Sequence, residues 1–341
     1  MQVVEACGDP RAIGQRTGEA LREEIQAHVE LFPQGSDSAS WERRLLTFLE
    51  TLRQYLPDVL EEMEGTAEGA NVPLDSIYRL NLPEYPDDLF PWQECTNVVF
   101  SSGPDGPVWG KNNDGLPDEK RRPHCARLVR PDEGIPVLIF TFCGMLATMD
   151  AMNAEGLAVG HASVGSVFQQ SDDHVPIRLW AYEGLMHCRT TAEFVRHMAL
   201  LPTRGKGYSI VCVDREGTCC SIEAPCPLMQ VRLPASSSGH MHCVNCYQLP
   251  ALADADRRDE LAKQNAIARW KLLDHLLSVQ EAFGLEHMKG LLRHHADPSI
   301  CRHGSRDGAV TEYSMIGLTQ DGRVLYLDGC PCENHYAEVS L

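Results

Sequence analysis

The sequence predicts an α+β fold in which two antiparallel sheets pack face to face, with helices on the outside. Strand-like segments occur in adjacent runs, and helical segments occur in pairs between those runs. No GxGxxG or P-loop motif opens a helix after a strand, so a doubly wound nucleotide-binding fold is disfavoured. Two facing sheets with outer helices accommodate every predicted element.

Apolar residues at a spacing of four predict the helices. In the first helix, Ile13, Thr17 and Leu21 begin such a series, with charged residues between them. The N-terminal ninety or so residues are helical, until the proline-rich segment 83–91 breaks the pattern. The predicted helices span residues 9–31, 38–56, 57–69 (ending at Gly69), 75–80, 176–188, 191–201, 256–279 and 282–294.

From Thr96 onward the residue pattern favours β-strands rather than helices. Gly103-Pro104-Asp105-Gly106 and Asn153-Ala154-Glu155-Gly156 carry strong turn chemistry and predict two hairpins. The predicted strands span residues 96–102, 107–113, 125–130, 136–142, 147–152, 157–163, 207–214, 218–223, 228–233, 240–246, 313–319 and 323–328.

Composition and net charge disfavour several classes of partner. The 341 residues carry a net charge of −18, which disfavours nucleic acid and anionic membranes as partners. No apolar run approaches the ~20 residues of a membrane span. The N-terminal segment lacks the pattern of a secretory signal, so we expect a cytoplasmic protein with reduced thiols and a small-molecule substrate. The oligomeric state, including a homo-oligomer, is left open.

Cys95 is the candidate nucleophile. A thiol needs a base to become a thiolate, and no neighbouring histidine supplies one. If Cys95 were an N-terminal residue, its own α-amine, with a pKa of about 7.7–8.0, would serve as the base. Asp114, at the end of the next strand, could then orient the amine. From the local residues alone, a structural thiol at Cys95 and a turn cap at Asp114 are the favoured interpretations, because free thiols and strand-end aspartates are common.

Five motifs in order carry a resemblance to a known family. They are Cys95-Thr96-Asn97 with Gly110-Lys111-Asn112-Asn113-Asp114, the glycine-punctuated helices around Gly14 and Gly65, Asn153-Ala154-Glu155-Gly156, His242-Cys243-Val244-Asn245-Cys246-Tyr247, and Ser299-Ile300-Cys301-Arg302-His303. Together they resemble the acyl-coenzyme A:6-aminopenicillanate acyltransferase (isopenicillin-N acyltransferase) family of N-terminal-nucleophile (Ntn) hydrolases.

The resemblance implies a four-layer αββα fold and self-cleavage between Glu94 and Cys95. A pro-part, residues 1–94, and a catalytic part, residues 95–341, would remain associated in one architecture. The thiolate of Cys95 would attack a small N-acyl substrate and form an acyl-enzyme, which water or an amine would then resolve. No cofactor is implied.

The resemblance also implies roles for other residues. Asn245 is expected to donate to the oxyanion, and Arg302 is expected near the nucleophile or the substrate. Lys111 and Tyr247 are candidate substrate contacts.

Three positions depart from the family pattern. Glu94 stands where glycine is common, Lys111 stands where arginine is common, and Cys246 stands where histidine is common. Glycine accommodates the strained turn of self-cleavage most easily, so Glu94 raises an alternative. In that alternative the chain stays uncleaved and acts as a silent binding or assembly protein.

A structural zinc site is the competing interpretation of the cysteine spacing. Cys243 and Cys246, together with Cys330 and Cys332, could supply four ligands, and further candidates are His294, His295, His303 and His335. The first pair overlaps a family strand motif, and the second pair is CxC rather than CxxC. We therefore expect no metal.

Overall fold

Two β-sheets form the centre of the molecule, which is known from a computed structural model describing residues 1–31, 38–82, 94–115, 122–235, 239–279, 283–304 and 308–341. In this part of the chain, sheet A has the strand order β1 (Gln2–Gly8), β4 (His124–Pro131), β5 (Val137–Phe142), β6 (Ala151–Asn153), β7 (Ala158–Ser163), β10 (Tyr208–Val213), β11 (Cys219–Ala224) and β12 (Gln230–Arg232).

Sheet B carries the predicted nucleophile. Its strand order is β13 (His240–Val244), β2 (Glu94–Phe100), β3 (Val108–Gly115), β14 (Val310–Leu318), β15 (Arg323–Asp328) and β16 (Ala337–Ser340). Two very short strands, β8 (Val175–Pro176) and β9 (Thr203–Arg204), pair with each other apart from these sheets.

The helices cover the outer faces of both sheets. They are α1 (Pro10–Ala20), α2 (Arg22–Leu31), α3 (Ser38–Tyr55), α4 (Pro57–Ala70), α5 (Leu74–Asn81), α6 (Ile177–His187), α7 (Thr191–Met198), α8 (Glu260–Ser278) and α9 (Leu285–Leu292). A 3₁₀ helix, Pro250–Ala255, precedes α8. None of the described helices combines the length and the apolarity that crossing a bilayer requires.

Three buried clusters separate four layers. In the first, helix residues such as Ile13 pack against sheet A residues such as Ile139. The second lies between the sheets, where Leu138 of sheet A meets Trp109 of sheet B. The third lies under α8 and α9, where Leu273 packs near Phe100. This stacking confirms the predicted α+β architecture of two sheets flanked by helices.

The β2–β3 hairpin forms as predicted. The pairing places Glu94 opposite Asp114 and Cys95 opposite Asn113. In the turn, Gly106 has a φ of +71° and donates its N–H to the carbonyl of Gly103 at 3.1 Å. Glycine tolerates this left-handed conformation without a steric penalty, which is why the turn closes there. The second predicted hairpin, after Asn153, also forms between β6 and β7.

Several boundaries differ from the sequence-based prediction. Strand β1 was not predicted, and it pairs parallel with β4, so sheet A is mixed rather than purely antiparallel. The single helix predicted over 9–31 is interrupted at Leu21. The helix predicted to end at Gly69 continues to Ala70, and Asn71 supplies the left-handed cap at a φ of +55°. The proposed boundary at 83–91 lies outside the described residues.

Gly69 belongs instead to a close helix–helix contact. A Cβ added to Gly65 would lie 2.1 Å from the carbonyl oxygen of Arg11, and one added to Gly14 would lie 2.1 Å from the carbonyl oxygen of Glu62. A Cβ added to Gly69 would likewise lie 2.1 Å from the carbonyl oxygen of Gln15. The backbones of α1 and α4 therefore touch, which anchors the N-terminal helices to each other.

We predict that Gly65→Ala destabilises the protein by about 3 kcal/mol, because the added methyl group meets backbone that cannot move aside cheaply. Urea denaturation followed by circular dichroism measures the effect. The matched control is Gly290→Ala in α9, where an added Cβ meets nothing within 4 Å. This control should stabilise by about 0.5–1 kcal/mol through helix propensity. Equal effects of the two substitutions would contradict the close contact.

Candidate active site

The thiol of Cys95 lies between the two sheets. Cys95 is the second residue of β2 and is fully buried, in the same cluster as Val99 and Trp109. Its Sγ lies 3.6 Å from Oδ1 of Asn113. Burial raises the pKa of the Cys95 thiol to about 11. In the uncleaved chain the thiol is therefore protonated at neutral pH, and a base must act before it can attack.

Both polar groups of the Cys95 backbone are held by side chains. The N–H of Cys95 donates to Oδ1 of Asn245 at 2.7 Å, and its carbonyl accepts from Nη1 of Arg269 at 2.8 Å. Arg269 also donates to Oδ1 of Asn245 at 3.0 Å. The nitrogen of the peptide group that the sequence marks for cleavage is thus held by Asn245, 150 positions away, and the next peptide group is held by Arg269, 174 positions away.

Asn245 follows β13 directly and reaches Cys95 as predicted, but with its acceptor atom. Its Nδ2 donates to the carbonyl of Ser163 at 2.7 Å, while its Oδ1 faces the nitrogen of Cys95. The oxyanion role implied by the resemblance requires the opposite end of this amide. In the uncleaved chain, Asn245 instead orients the nitrogen that cleavage would convert into the α-amine.

Glu94 is buried among three arginines. Its carboxylate is ion-paired with Arg269 and lies 3.4 Å from Nη1 of Arg258 and 3.5 Å from Nη1 of Arg302. The exposed fraction of Glu94 is only 3%. Asp256 shares Arg258 at 2.8 Å. A carboxylate this deep needs such partners, because an unpaired buried charge is strongly destabilising.

Asp114 lies with this charged cluster rather than with the thiol. Directly opposed residues of an antiparallel pair share a face, and Asp114 opposes Glu94. Its Oδ1 accepts from the hydroxyl of Thr311 at 2.7 Å. Burial raises the pKa of the Asp114 carboxyl to about 6, and the charges of Arg302 and Arg269 oppose that rise. The nitrogen of Cys95 donates to Asn245, so the acceptor role predicted for Asp114 is taken by Asn245 in this state.

Lys111 joins the two sheets through a buried network. Its Nζ lies 2.5 Å from Oδ2 of Asp150 and donates to the carbonyl of His161 at 2.8 Å. Oδ1 of Asp150 lies 2.8 Å from Nδ1 of His161. Burial alone would raise the pKa of Asp150, but His161 and Lys111 outweigh it and lower the pKa to about 2. Lys111 therefore acts as a buried structural cation whose charge reaches the Cys95 thiol.

Tyr247 is committed to a packing contact. Its hydroxyl donates to the carbonyl of Gly165 at 2.7 Å, and its ring packs with Val164 and Leu252. The hydroxyl thus already has an acceptor in the loop after β7.

A cationic group lies near the nucleophile on the sheet A side. Lys206 precedes β10, and its ammonium would attract a thiolate at Cys95. Burial, followed by the like charges of Arg178 and Arg122, lowers the pKa of Lys206 to about 7. All three side chains are half-buried. This cationic rim, Lys206 with Arg178 and Arg122, was not identified from the sequence.

Arg258 and Arg269 were also missed. A signal for Arg269 existed, because it falls on the same stripe of the predicted helix as Leu273 and Leu277, where an arginine is out of place. Arg258 lies in the irregular segment before α8 and carried no comparable signal. Their shared partner, Glu94, is more than 160 residues away.

The zinc set considered from the sequence does not assemble. Cys243 packs between the sheets, whereas Cys246 packs in the cluster under α8. Among the described residues, the groups with metal-ligand proximity are Cys301, His303 and Cys332, and His303, Cys330 and Glu333.

Sequence comparison identifies a family. The profile of the acyl-coenzyme A:6-aminopenicillanic acid acyl-transferase family matches residues 101–321, more than half of the chain. The match includes Lys111, Asp114, Asn245 and Arg302 and begins shortly after Cys95. Comparison with curated protein sequences gave no match.

Several solved structures resemble this fold. A variant of conjugated bile acid hydrolase from Clostridium perfringens has a TM-score of 0.50 at 12% identity, covering 72% of this chain and 92% of that chain. The Caenorhabditis elegans ortholog of N-acylethanolamine-hydrolyzing acid amidase has a TM-score of 0.47 at 13% identity, covering 66% and 93%. Penicillin V acylase from Agrobacterium tumefaciens has a TM-score of 0.42 at 14% identity, covering 69% and 83%. The predicted Ntn-hydrolase fold is confirmed.

Asp114 makes a testable contribution to the pH dependence of stability. Because its pKa is raised in the folded state, its stabilising effect is complete below its unfolded pKa of about 4 and is lost as the pH rises through about 6. Asparagine carries no charge at any pH. The comparison uses a Cys95→Ala background, which keeps the chain uncleaved. As the pH rises from about 4 to about 7, the free energy of unfolding of Asp114→Asn should increase by about 3 kcal/mol relative to that of its parent.

Denaturant unfolding at a series of pH values measures this difference. The control is Asp132→Asn at an exposed position, which should show no such trend. A constant difference between the Asp114→Asn variant and its parent across the pH range would contradict the raised pKa.

Proposed function

Because the chain belongs to the acyl-coenzyme A:6-aminopenicillanic acid acyl-transferase family, we propose that it cleaves itself between Glu94 and Cys95 and then acts through the new N-terminal cysteine. Family membership makes it an amide hydrolase or acyltransferase. The observation that carries the proposal is the hydrogen bond from the Cys95 nitrogen to Oδ1 of Asn245, beside the buried thiol.

Self-cleavage would proceed by an acyl shift. The Sγ of Cys95 attacks the carbonyl carbon of Glu94, the C–N bond breaks, and the thiol proton passes to the leaving nitrogen. This shift frees the α-amine of Cys95, and water then hydrolyses the thioester, which releases the α-carboxylate of Glu94 and regenerates the Cys95 thiol. The Glu94 side chain is ion-paired with Arg258, Arg269 and Arg302. These ion pairs support the step, because they hold Glu94, whose carbonyl carbon is attacked, in place.

The mature site would use the α-amine as base. It takes the thiol proton as Sγ attacks the substrate amide, then donates a proton to the departing amine. Water resolves the acyl-enzyme in hydrolysis, and a second amine resolves it in acyl transfer. Asn245 would keep the amine oriented through Oδ1, and the ionised Asp114 would balance the nearby arginines.

Substrates with an anionic group fit this site best. Lys206, Arg178 and Arg122 form a half-buried cationic rim, and Lys206 would attract the thiolate of Cys95 once it forms. Lys206 lies two residues before Tyr208, which pairs with Ser163, and the carbonyl of Ser163 accepts from Asn245. Because the cationic rim is connected to the nucleophile in this way, we propose small N-acyl compounds bearing a carboxylate as substrates.

Intact-mass measurement of purified protein tests self-cleavage. The parent should yield two fragments, residues 1–94 and 95–341, whereas Cys95→Ala should remain a single chain. The matched control is Cys243→Ala, which removes another fully buried thiol from the same inter-sheet cluster and should still cleave. A parent that stays full-length, without thiol-dependent turnover of any N-acyl compound, would overturn the proposal in favour of an uncleaved binding protein.

A panel of paired carboxylated and neutral N-acyl substrates tests the charge preference. Lys206→Met should raise KM for the carboxylated members about tenfold, equivalent to about 1.4 kcal/mol, and leave the neutral members unchanged. In the parent, KM for the carboxylated members should rise above about pH 7, where Lys206 loses its proton. Lys271→Met, at an exposed position of α8, is the control. Equal KM changes for both substrate sets would refute the preference.

A further inference from the structure

Two distant turns bring two thiols and an imidazole together. The Sγ of Cys301 lies 3.5 Å from the Sγ of Cys332 and 3.6 Å from Nε2 of His303. The same Nε2 lies 3.2 Å from the Sγ of Cys332. Cys301 and His303 precede strands β14 and β15 in the sequence, and Cys332 follows them. The folding of these two strands therefore brings the three residues together.

The three distances match the edges of a tetrahedral zinc site. With Zn–S at about 2.3 Å and Zn–N at about 2.0–2.1 Å, tetrahedral angles separate two sulfurs by about 3.8 Å and a sulfur from a nitrogen by about 3.5 Å. The observed separations fall within a few tenths of an ångström of these values. We propose that Cys301, His303 and Cys332 bind a zinc ion.

The donor set favours zinc over hard cations. Thiolates and an imidazole are poor ligands for magnesium or calcium, which prefer oxygen. Binding releases the two thiol protons to solvent and leaves two thiolates to balance the charge of the ion. Cys330 is not counted among the ligands, because its Sγ lies 3.7 Å from Nδ1 of His303, the nitrogen that faces away from the two thiols.

The second ring nitrogen of His303 is also provided for. Its Nδ1 lies 3.7 Å from a carboxylate oxygen of Glu333, the kind of acidic partner that orients a zinc-bound histidine. With Nδ1 on the side of Glu333, Nε2 is the ring nitrogen that faces the two thiols and is available to the ion.

Backbone hydrogen bonds hold the ligands in place without a metal. The N–H groups of Glu333 and Asn334 both donate to the carbonyl of Cys330 at 3.1 Å, and Nε of Arg293 donates to the carbonyl of Pro331 at 3.0 Å. On the other side, the N–H of Thr311 donates to the carbonyl of Arg302 at 3.1 Å. Both ligand-bearing turns are therefore preorganised.

The location next to Arg302 indicates a structural role for the ion. Arg302 stands between two of the ligands in sequence, and its guanidinium reaches the carboxylate of Glu94. Zinc would tie the backbone on both sides of Arg302 to the turn at Cys332. The site is thus a structural clamp next to the charged cluster, separate from the thiol of Cys95.

Elemental analysis of protein purified without an affinity tag, under reducing conditions and without chelator, tests the proposal. We expect about one zinc ion per chain. Cys332→Ser and His303→Gln should each retain less than about a tenth of it. The matched control is His295→Gln, whose exposed ring lies 6.2 Å from that of His303 and which should keep the ion. A parent that fails to hold zinc after loading and dialysis would overturn the site.

Cobalt substitution gives a second reading that does not depend on folding yield. The cobalt-loaded parent should show a thiolate-to-cobalt charge-transfer band, and folded Cys332→Ser should lose intensity in it. Circular dichroism confirms that the variant is folded. A Cys301–Cys332 disulfide in the non-reduced peptide map of the reductively purified protein would refute zinc binding. Because neither experiment uses Cys95 or a substrate, failure here is distinguishable from failure of the proposed function.

Discussion

The buried carboxylate of Glu94 is the charge around which this end of the molecule is assembled. It draws guanidinium groups from the segment before α8, from α8 itself and from the segment before β14: Arg258, Arg269 and Arg302. These elements are far apart in sequence, and no apolar contact alone would place their charged ends together. Removing one partner from such a cluster typically costs about 3–5 kcal/mol, so the arrangement tolerates little loosening. The ion pairs of the Glu94 side chain therefore also restrain the peptide bond that follows Glu94.

The strand β2 separates two kinds of chemistry on its two faces. The thiol of Cys95 points into the apolar layer between the sheets, where burial keeps it protonated. Glu94 and Thr96 point to the opposite face and contact Arg269. A thiol in an apolar layer is shielded from solvent, while the charged face fixes the backbone that carries it. The strand alternation of period two produces this division without any special local motif.

The region around Arg302 connects this charged face to the far edge of sheet B. Thr311 bridges Asp114 and the backbone of Arg302, accepting from the latter at 2.9 Å. The proposed zinc clamp continues the connection to the turn at Cys332. A cysteine-rich turn thus lies next to Arg302 in a chain whose other described thiols are mostly buried.

Local patterns in the sequence determined the helices of the first ninety residues, the two hairpins, and the pairing that sets Cys95 and Glu94 opposite β3. Glycine turns, apolar periodicity and strand alternation act over a few residues, so they can be interpreted locally. Contacts between elements that are distant in sequence were decided only by the tertiary structure. Strand β1 joins sheet A through β4, and Arg269 turns inward to meet Glu94, 175 residues away. Over a shorter separation of 31 residues, Cys332 meets Cys301 rather than Cys243. Their cause is the packing of distant elements around buried charge, which leaves no periodic signal in the chain.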